Sequence, residues 1–203
     1  MVCRASWFGA LRAERSTLFA FAEEAYSLRI NGGYEFATNL LRFTYSSMTT
    51  PEEVWDYDLA SRERILRKRQ EIPSGHNSAD YVTQRLFAPA VDGETIPISL
   101  LYRKDVAPDG TMPCLLYGYG AYGLSIPAAF GSNRLSLVDR GFVYAIAHVR
   151  GGSEKGWRWY REGKLAKKIN TFTDFIAAAS ISAKAVGARR ERSSPKAAPL
   201  AGP

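Results

Sequence analysis

Leu116-Tyr-Gly-Tyr-Gly-Ala-Tyr-Gly123 is the stretch from which the rest of the chain is read. It continues Cys114-Leu-Leu-Tyr117, a short unbroken apolar run of the kind that forms a strand buried on both faces. Glycines at every second or third position then leave the strand end and let the backbone approach a ligand closely. A phosphate-cradling loop of the usual templates must open a helix, and no G-x-G-x-x-G or Walker Lys-Ser/Thr pattern does so here. A tyrosine hydroxyl beside the glycines can instead donate a hydrogen bond to developing negative charge. A turn that only packs is the third reading, since glycine turns are often mere punctuation.

Outward from this loop the pattern is that of an α/β layer. Tyr81–Ala88 and Thr95–Lys104 read as two strands, with Asp92-Gly93 as the turn signal between them. Asn133–Arg140 is a short helix stopped by Gly141, and Phe142–Val149 is a second apolar strand ending at Arg150-Gly-Gly152. Thr171-Phe-Thr-Asp174 has the spacing of a capping box, and Phe172, Phe175, Ile176 and Ala179 follow at helical intervals.

Upstream, residues 34–70 read as antiparallel β-structure. Leu41, Phe43 and Tyr45 alternate with Arg42, Thr44 and Ser46; Trp55, Tyr57 and Leu59 alternate with Val54, Asp56 and Asp58; Arg64–Gln70 is a third, more exposed strand. Such a meander wants neighbours, as a propeller blade or sandwich sheet does. Ile72–Asp80, with Pro73, Ser74, Gly75, Asn77 and Ser78, has linker composition and marks a boundary.

The 203 residues are 46% apolar, 23% charged and 12% aromatic, which excludes a disordered or collagen-like chain. No run of eighteen apolar residues is present, which excludes a transmembrane helix. Met1–Ala20 lacks the apolar core of a signal peptide, so cytoplasmic residence is expected. Two cysteines, Cys3 and Cys114, and two histidines, His76 and His148, show no zinc spacing, and neither a metal nor a cofactor is expected. The net charge of +7 is uneven. Ser180–Pro203 holds Lys184, Arg189, Arg190, Arg192 and Lys196 against Glu191, which leaves +3 for the first 179 residues. A tail effect of this kind is poor support for nucleic-acid binding by a folded face. Glu23-Glu24 and Glu52-Glu53 read as solvated turn residues rather than paired catalytic carboxylates.

Several runs together resemble the oligopeptidase B branch of the prolyl oligopeptidase family of serine peptidases. They are Tyr34-Glu-Phe36, Phe43-Thr-Tyr-Ser-Ser-Met-Thr-Thr-Pro-Glu-Glu-Val54, Tyr57-Asp58, Lys68-Arg-Gln-Glu-Ile-Pro-Ser-Gly75, Tyr102-Arg-Lys104 and the Leu116–Gly123 loop. Arg134-Leu-Ser-Leu-Val-Asp-Arg-Gly141, His148-Val-Arg-Gly-Gly152 and Asn170-Thr-Phe-Thr-Asp-Phe175 continue the likeness, in order, over roughly residues 20–179. The resemblance implies a cytosolic serine endopeptidase in which a β-propeller caps an α/β-hydrolase domain, limits substrates to peptides, and favours cleavage after Arg or Lys. On that map residues 1–19 are unassigned and 20–75 end the propeller. Residues 78–179 begin the hydrolase domain, and 180–203 are a basic, low-complexity tail with the look of a frameshift product. Tyr119 matches the family tyrosine whose hydroxyl supplies one oxyanion-hole donor.

The departures are as specific. Peptide hydrolysis of this type needs Ser on a G-x-S-x-G elbow, then Asp, then His, in chain order. No such elbow follows the helix that starts at Thr171. Gly151-Gly-Ser-Glu-Lys155 puts Lys155 at the second glycine position, which argues against Ser153 as nucleophile. His76 and His148 read as structural, since no acid and nucleophile are spaced to serve them. The expectation is therefore a fragment of a peptidase, inactive alone, with the triad Ser, Asp and His absent. The alternative is a non-catalytic interaction module whose basic tail binds an acidic partner.

Overall fold

The computed structural model describes residues 20–33, 35, 37–106 and 112–185, and the backbone of 193–197. Cys3, Tyr34, Phe36, Arg189, Arg190 and Arg192 lie outside the described residues.

The meander is present with one more strand than its alternation predicts. β1 (Tyr26–Ile30), β2 (Leu40–Ser47), β3 (Glu53–Asp58) and β4 (Arg64–Arg69) form an antiparallel sheet in that order. Phe43 faces Trp55 and Leu41 faces Tyr57 across β2 and β3, so one face is an aromatic layer onto which Phe21 stacks. On the other face Arg42 and Arg67 both grip the Asp56 carboxylate, each at 2.7 Å. β4 is exposed along its whole length, and its cationic residues suit an open sheet edge.

The second sheet has the order β5-β6-β8-β7-β9. β5 (Tyr81–Pro89) and β6 (Thr95–Arg103) form the hairpin read at Asp92-Gly93. β7 (Cys114–Gly118) and β8 (Val143–Ala147) run parallel, and β9 (Ser193–Ala197) adds in parallel on the far side of β7. Every residue of β8 is buried, as a strand covered on both faces must be. α1 (Ser132–Val138) covers one face through Leu135 and Val138. α2 (Trp157–Arg161) follows β8 with Trp159 buried, and α3 (Ile169–Ala185) covers the other face through Ala178, with Phe175 packed alongside. Ala25, just ahead of β1, and Met48, just past β2, share a core cluster with Leu101 of β6, Ala128 of the loop after β7, Val138 of α1 and Ile146 of β8, so the meander and the mixed layer bury surface against each other.

One local reading needs correction. The helix does not start on a Thr171 cap. It begins at Ile169, with Thr171 and Asp174 buried inside its first turns and used for other bonds. The helix runs on to Ala185, since Ala177, Ala178, Ala179, Ala183 and Ala185 cost a helix little, and Ser180 Oγ donates back to the Ile176 carbonyl. Gly118, Gly120 and Gly123 have dinucleotide-loop spacing, and, as the sequence reading has it, no helix follows them: the chain runs from Tyr119 to Gly131 without one. The loop itself opens no helix among the described residues, which removes the phosphate-cradling reading.

Candidate active site

The loops that follow β7 and β8 leave the same end of two parallel strands, where open α/β sheets bind their ligands. They are laced together by backbone. Gly123 N donates to Gly151 O at 2.9 Å, and Gly151 N donates to Trp159 O at 3.1 Å. Gly120 has φ +65 and Gly151 φ +97, and a Cβ on Gly151 would collide with the Gly120 carbonyl oxygen. The two loops touch at this point only because neither residue has a side chain. Lys168, just ahead of α3, donates from Nζ to the same Gly120 carbonyl, and burial lowers its pKa.

Tyr119 is the first residue past β7 and is half-buried. Among the described residues its hydroxyl has no hydrogen-bond partner. Phe175 fills the space beneath Gly118, so the strand end is packed from below while the tyrosine leaves it.

Behind the loops lies a buried ion pair. Asp174 accepts from the Arg150 backbone N–H at 3.0 Å and from Arg150 Nε at 2.8 Å. The outer side of the guanidinium bonds Asp92 in the β5–β6 turn. Thr171 Oγ1 donates to the Arg150 carbonyl at 2.7 Å. Arg150 thus ties the hairpin, the β8 loop and α3 together, and its guanidinium lowers the Asp92 pKa.

Ser153 Oγ donates to the Gly123 carbonyl at 2.7 Å and lies 3.0 Å from Ser125 Oγ, which is the work of a loop fastener. His76 stacks on Tyr81 and has its Nε2 2.6 Å from the Thr49 carbonyl, between the two sheets. His148 does have neighbours of the triad type, contrary to its sequence reading. Its Nε2 is 2.8 Å from Ser99 Oγ and its Nδ1 is 3.8 Å from Glu154. Ser99 is 0% and His148 4% exposed, so no substrate carbonyl reaches either. Burial lowers the His148 pKa, with Arg85 adding to the effect and Glu154 opposing it.

The acidic pairs are also more occupied than read. The Glu23 carboxylate accepts from the hydroxyls of Tyr45, Ser47, Thr49 and Thr50, and Glu53 is buried against Arg69 and Trp55 Nε1.

Comparison with known proteins accords with this layout. The description "Prolyl oligopeptidase family" matches residues 128–192. Oligopeptidase B from Leishmania major superposes with a TM-score of 0.80 at 37% identity, over 88% of this chain and 25% of that one. Over this part of its length the chain is similar to the prolyl oligopeptidase family. Its likeness is to the oligopeptidase B branch. Oligopeptidase B from Trypanosoma brucei, in a closed form with covalently bound antipain, gives a TM-score of 0.79 at 41% identity over 88% of this chain and 26% of that one. Dipeptidyl aminopeptidase BI of Pseudoxanthomonas mexicana is 49% identical over 168 residues, 82% of this chain and 23% of that protein. The chain spans about a quarter of the length of these relatives. Within the prolyl oligopeptidase fold, the antiparallel sheet is part of the propeller and the mixed sheet part of the α/β-hydrolase layer.

Proposed function

We propose that this chain carries the oxyanion side of a serine peptidase site, with the Tyr119 hydroxyl as donor to the tetrahedral intermediate. The position of Tyr119 supports this most directly. It follows the third strand of the mixed sheet without an intervening turn, at the ligand-binding end of β7 and β8, on a backbone fixed by Gly120, Gly151 and Lys168. Such a donor stabilises charge that appears only in the transition state, so it acts on rate rather than on substrate affinity.

The substrates of the whole protein would be peptides, cleaved after Arg or Lys as the resemblance implies, in the cytoplasm. Residues 20–75 would be propeller and 78–179 the start of the hydrolase domain. No helix among the described residues is long and apolar enough to cross a membrane. The 49% identity to a protein named as a dipeptidyl aminopeptidase favours a second specificity, release of dipeptides from a free N-terminus.

The nucleophile is not among the described residues. The chain alone should therefore hydrolyse neither a blocked fluorogenic peptide ending in Arg nor a free dipeptidyl one, and should not be labelled by a fluorophosphonate. Turnover abolished by the fluorophosphonate would overturn this reading. Salt-sensitive DNA binding, lost when residues 180–203 are deleted, would favour the interaction-module alternative.

A further inference from the structure

The buried polar groups that the proposed chemistry leaves unused lie under the two site loops. Ser99 on β6, His148 at the end of β8 and Glu154 in the loop beyond it form a chain of side chains. Ser99 Oγ is 2.8 Å from His148 Nε2, and His148 Nδ1 is 3.8 Å from Glu154 Oε1. That same Oε1 accepts from the Ile126 backbone N–H at 3.0 Å, across in the loop after β7. His148 Nδ1 and Glu154 Oε2 are buried without a hydrogen-bond partner. Gly152 is what admits the carboxylate, since a Cβ there would collide with Glu154 Oε2. A mostly buried carboxylate held by one backbone N–H, beside an imidazole with an unspent nitrogen, is short of partners and answers to a change in either.

We propose that Ser99, His148 and Glu154 form a proton-dependent latch that holds the loop after β7 against the loop after β8, with Glu154 as the positioning residue. With His148 neutral, Glu154 Oε1 is free to accept from Ile126 N–H and the latch is closed. When His148 takes a proton from solvent, both ring nitrogens become donors. Ser99 Oγ then accepts at Nε2, and Nδ1–H draws the carboxylate away from Ile126 N–H. The charged groups that face the imidazole are Arg85 on β5, which resists the proton, and Glu154, which welcomes it. Trp159 Nε1 donates to the His148 carbonyl and Pro97 O accepts from its N–H, so the backbone of His148 stays in place while its ring titrates.

The latch rests on the peptidase reading only for its consequence at Tyr119. Its test involves no hydrolysis, so the failure of one is distinguishable from the failure of the other. The test is amide exchange by NMR on the full chain from pH 8 down to the onset of acid unfolding, expressed as protection factors, with the His148 ring titration followed in the same samples; a ring that stays neutral over that whole range overturns the latch. Ile126 protection should fall about tenfold as His148 titrates, while that of Ala145 in β8 stays level. In Glu154→Gln, which keeps an acceptor but no charge, the Ile126 step should vanish and the His148 midpoint should move down. Ser99→Ala gives a second reading, in which the Ile126 step must move with the His148 midpoint. Ile126 and Ala145 changing in parallel, a step that survives Glu154→Gln, or a step that ignores the His148 midpoint would overturn the latch.

Discussion

The Arg150 side chain and the Asp174 carboxylate form a pair closed off from solvent, at 3% and 0% side-chain exposure, between the β8 loop and the first turns of α3. One Asp174 oxygen also takes the Arg150 backbone N–H, so the pair fixes loop and helix together. Removing one partner strands a charge in the interior, which costs far more than the pair contributes when intact.

Asp174→Ala should therefore lower stability by about 3–5 kcal/mol. Urea unfolding measures it. An Asp92→Ala change on the half-exposed outer side of the same guanidinium should cost much less. Equal losses from the two would contradict the buried pair as the main tie.

Gly151→Ala meets both a left-handed backbone and the Gly120 carbonyl. The expected loss is about 3 kcal/mol or more, well above an ordinary surface change. Gly141→Ala is the control. It shares the positive φ, at +86, but a Cβ there meets nothing, so its loss should be limited to the backbone preference. Similar losses at the two sites would remove the close approach as the cause.

Acid should weaken the fold in two stages. His148 is held neutral by burial, so below about pH 6.5 the unfolded chain takes a proton that the folded chain refuses. Stability then falls with pH until the folded value is passed. Asp56 has its pKa held down to about 2, first by the hydrogen bond from Arg42. Its contribution is present above about pH 3.9 and is lost as pH falls toward that lower value. Urea midpoints against pH should show both declines, and His148→Gln should remove the upper one. A curve level from pH 7 to pH 5 would contradict the buried neutral imidazole.

Much of the fold was legible because period and composition report it directly. The alternation through Leu41, Phe43 and Tyr45, the apolar run at Cys114 and the turn at Asp92-Gly93 each mark an element that the structure contains. What escaped was long-range pairing of polar groups. Thr171 and Asp174 matched a cap locally but are used by Arg150, 24 residues before Asp174 in the chain. The signal lay in the helix stripe itself. Asp174 falls on the same face as Ala178, and a carboxylate on a buried stripe requires a donor from elsewhere. Glu23 and Glu53 escaped for the same reason, since neither neighbour in sequence discloses the hydroxyls and guanidinium that hold them. β1 was missed because Tyr26–Ile30 has little alternation of its own and becomes a strand by pairing with β2.

The role of Tyr119 is tested most directly where the rest of the family's machinery is supplied. Residues 20–185 of this chain would replace the matching segment of dipeptidyl aminopeptidase BI from Pseudoxanthomonas mexicana, and the chimera would be compared with its Tyr119→Phe form. Loss of an oxyanion donor predicts a fall in kcat of about 10²–10³-fold with KM nearly unchanged. A Tyr119→Phe chimera with unchanged kcat would contradict the assignment of this loop to the oxyanion side of the site.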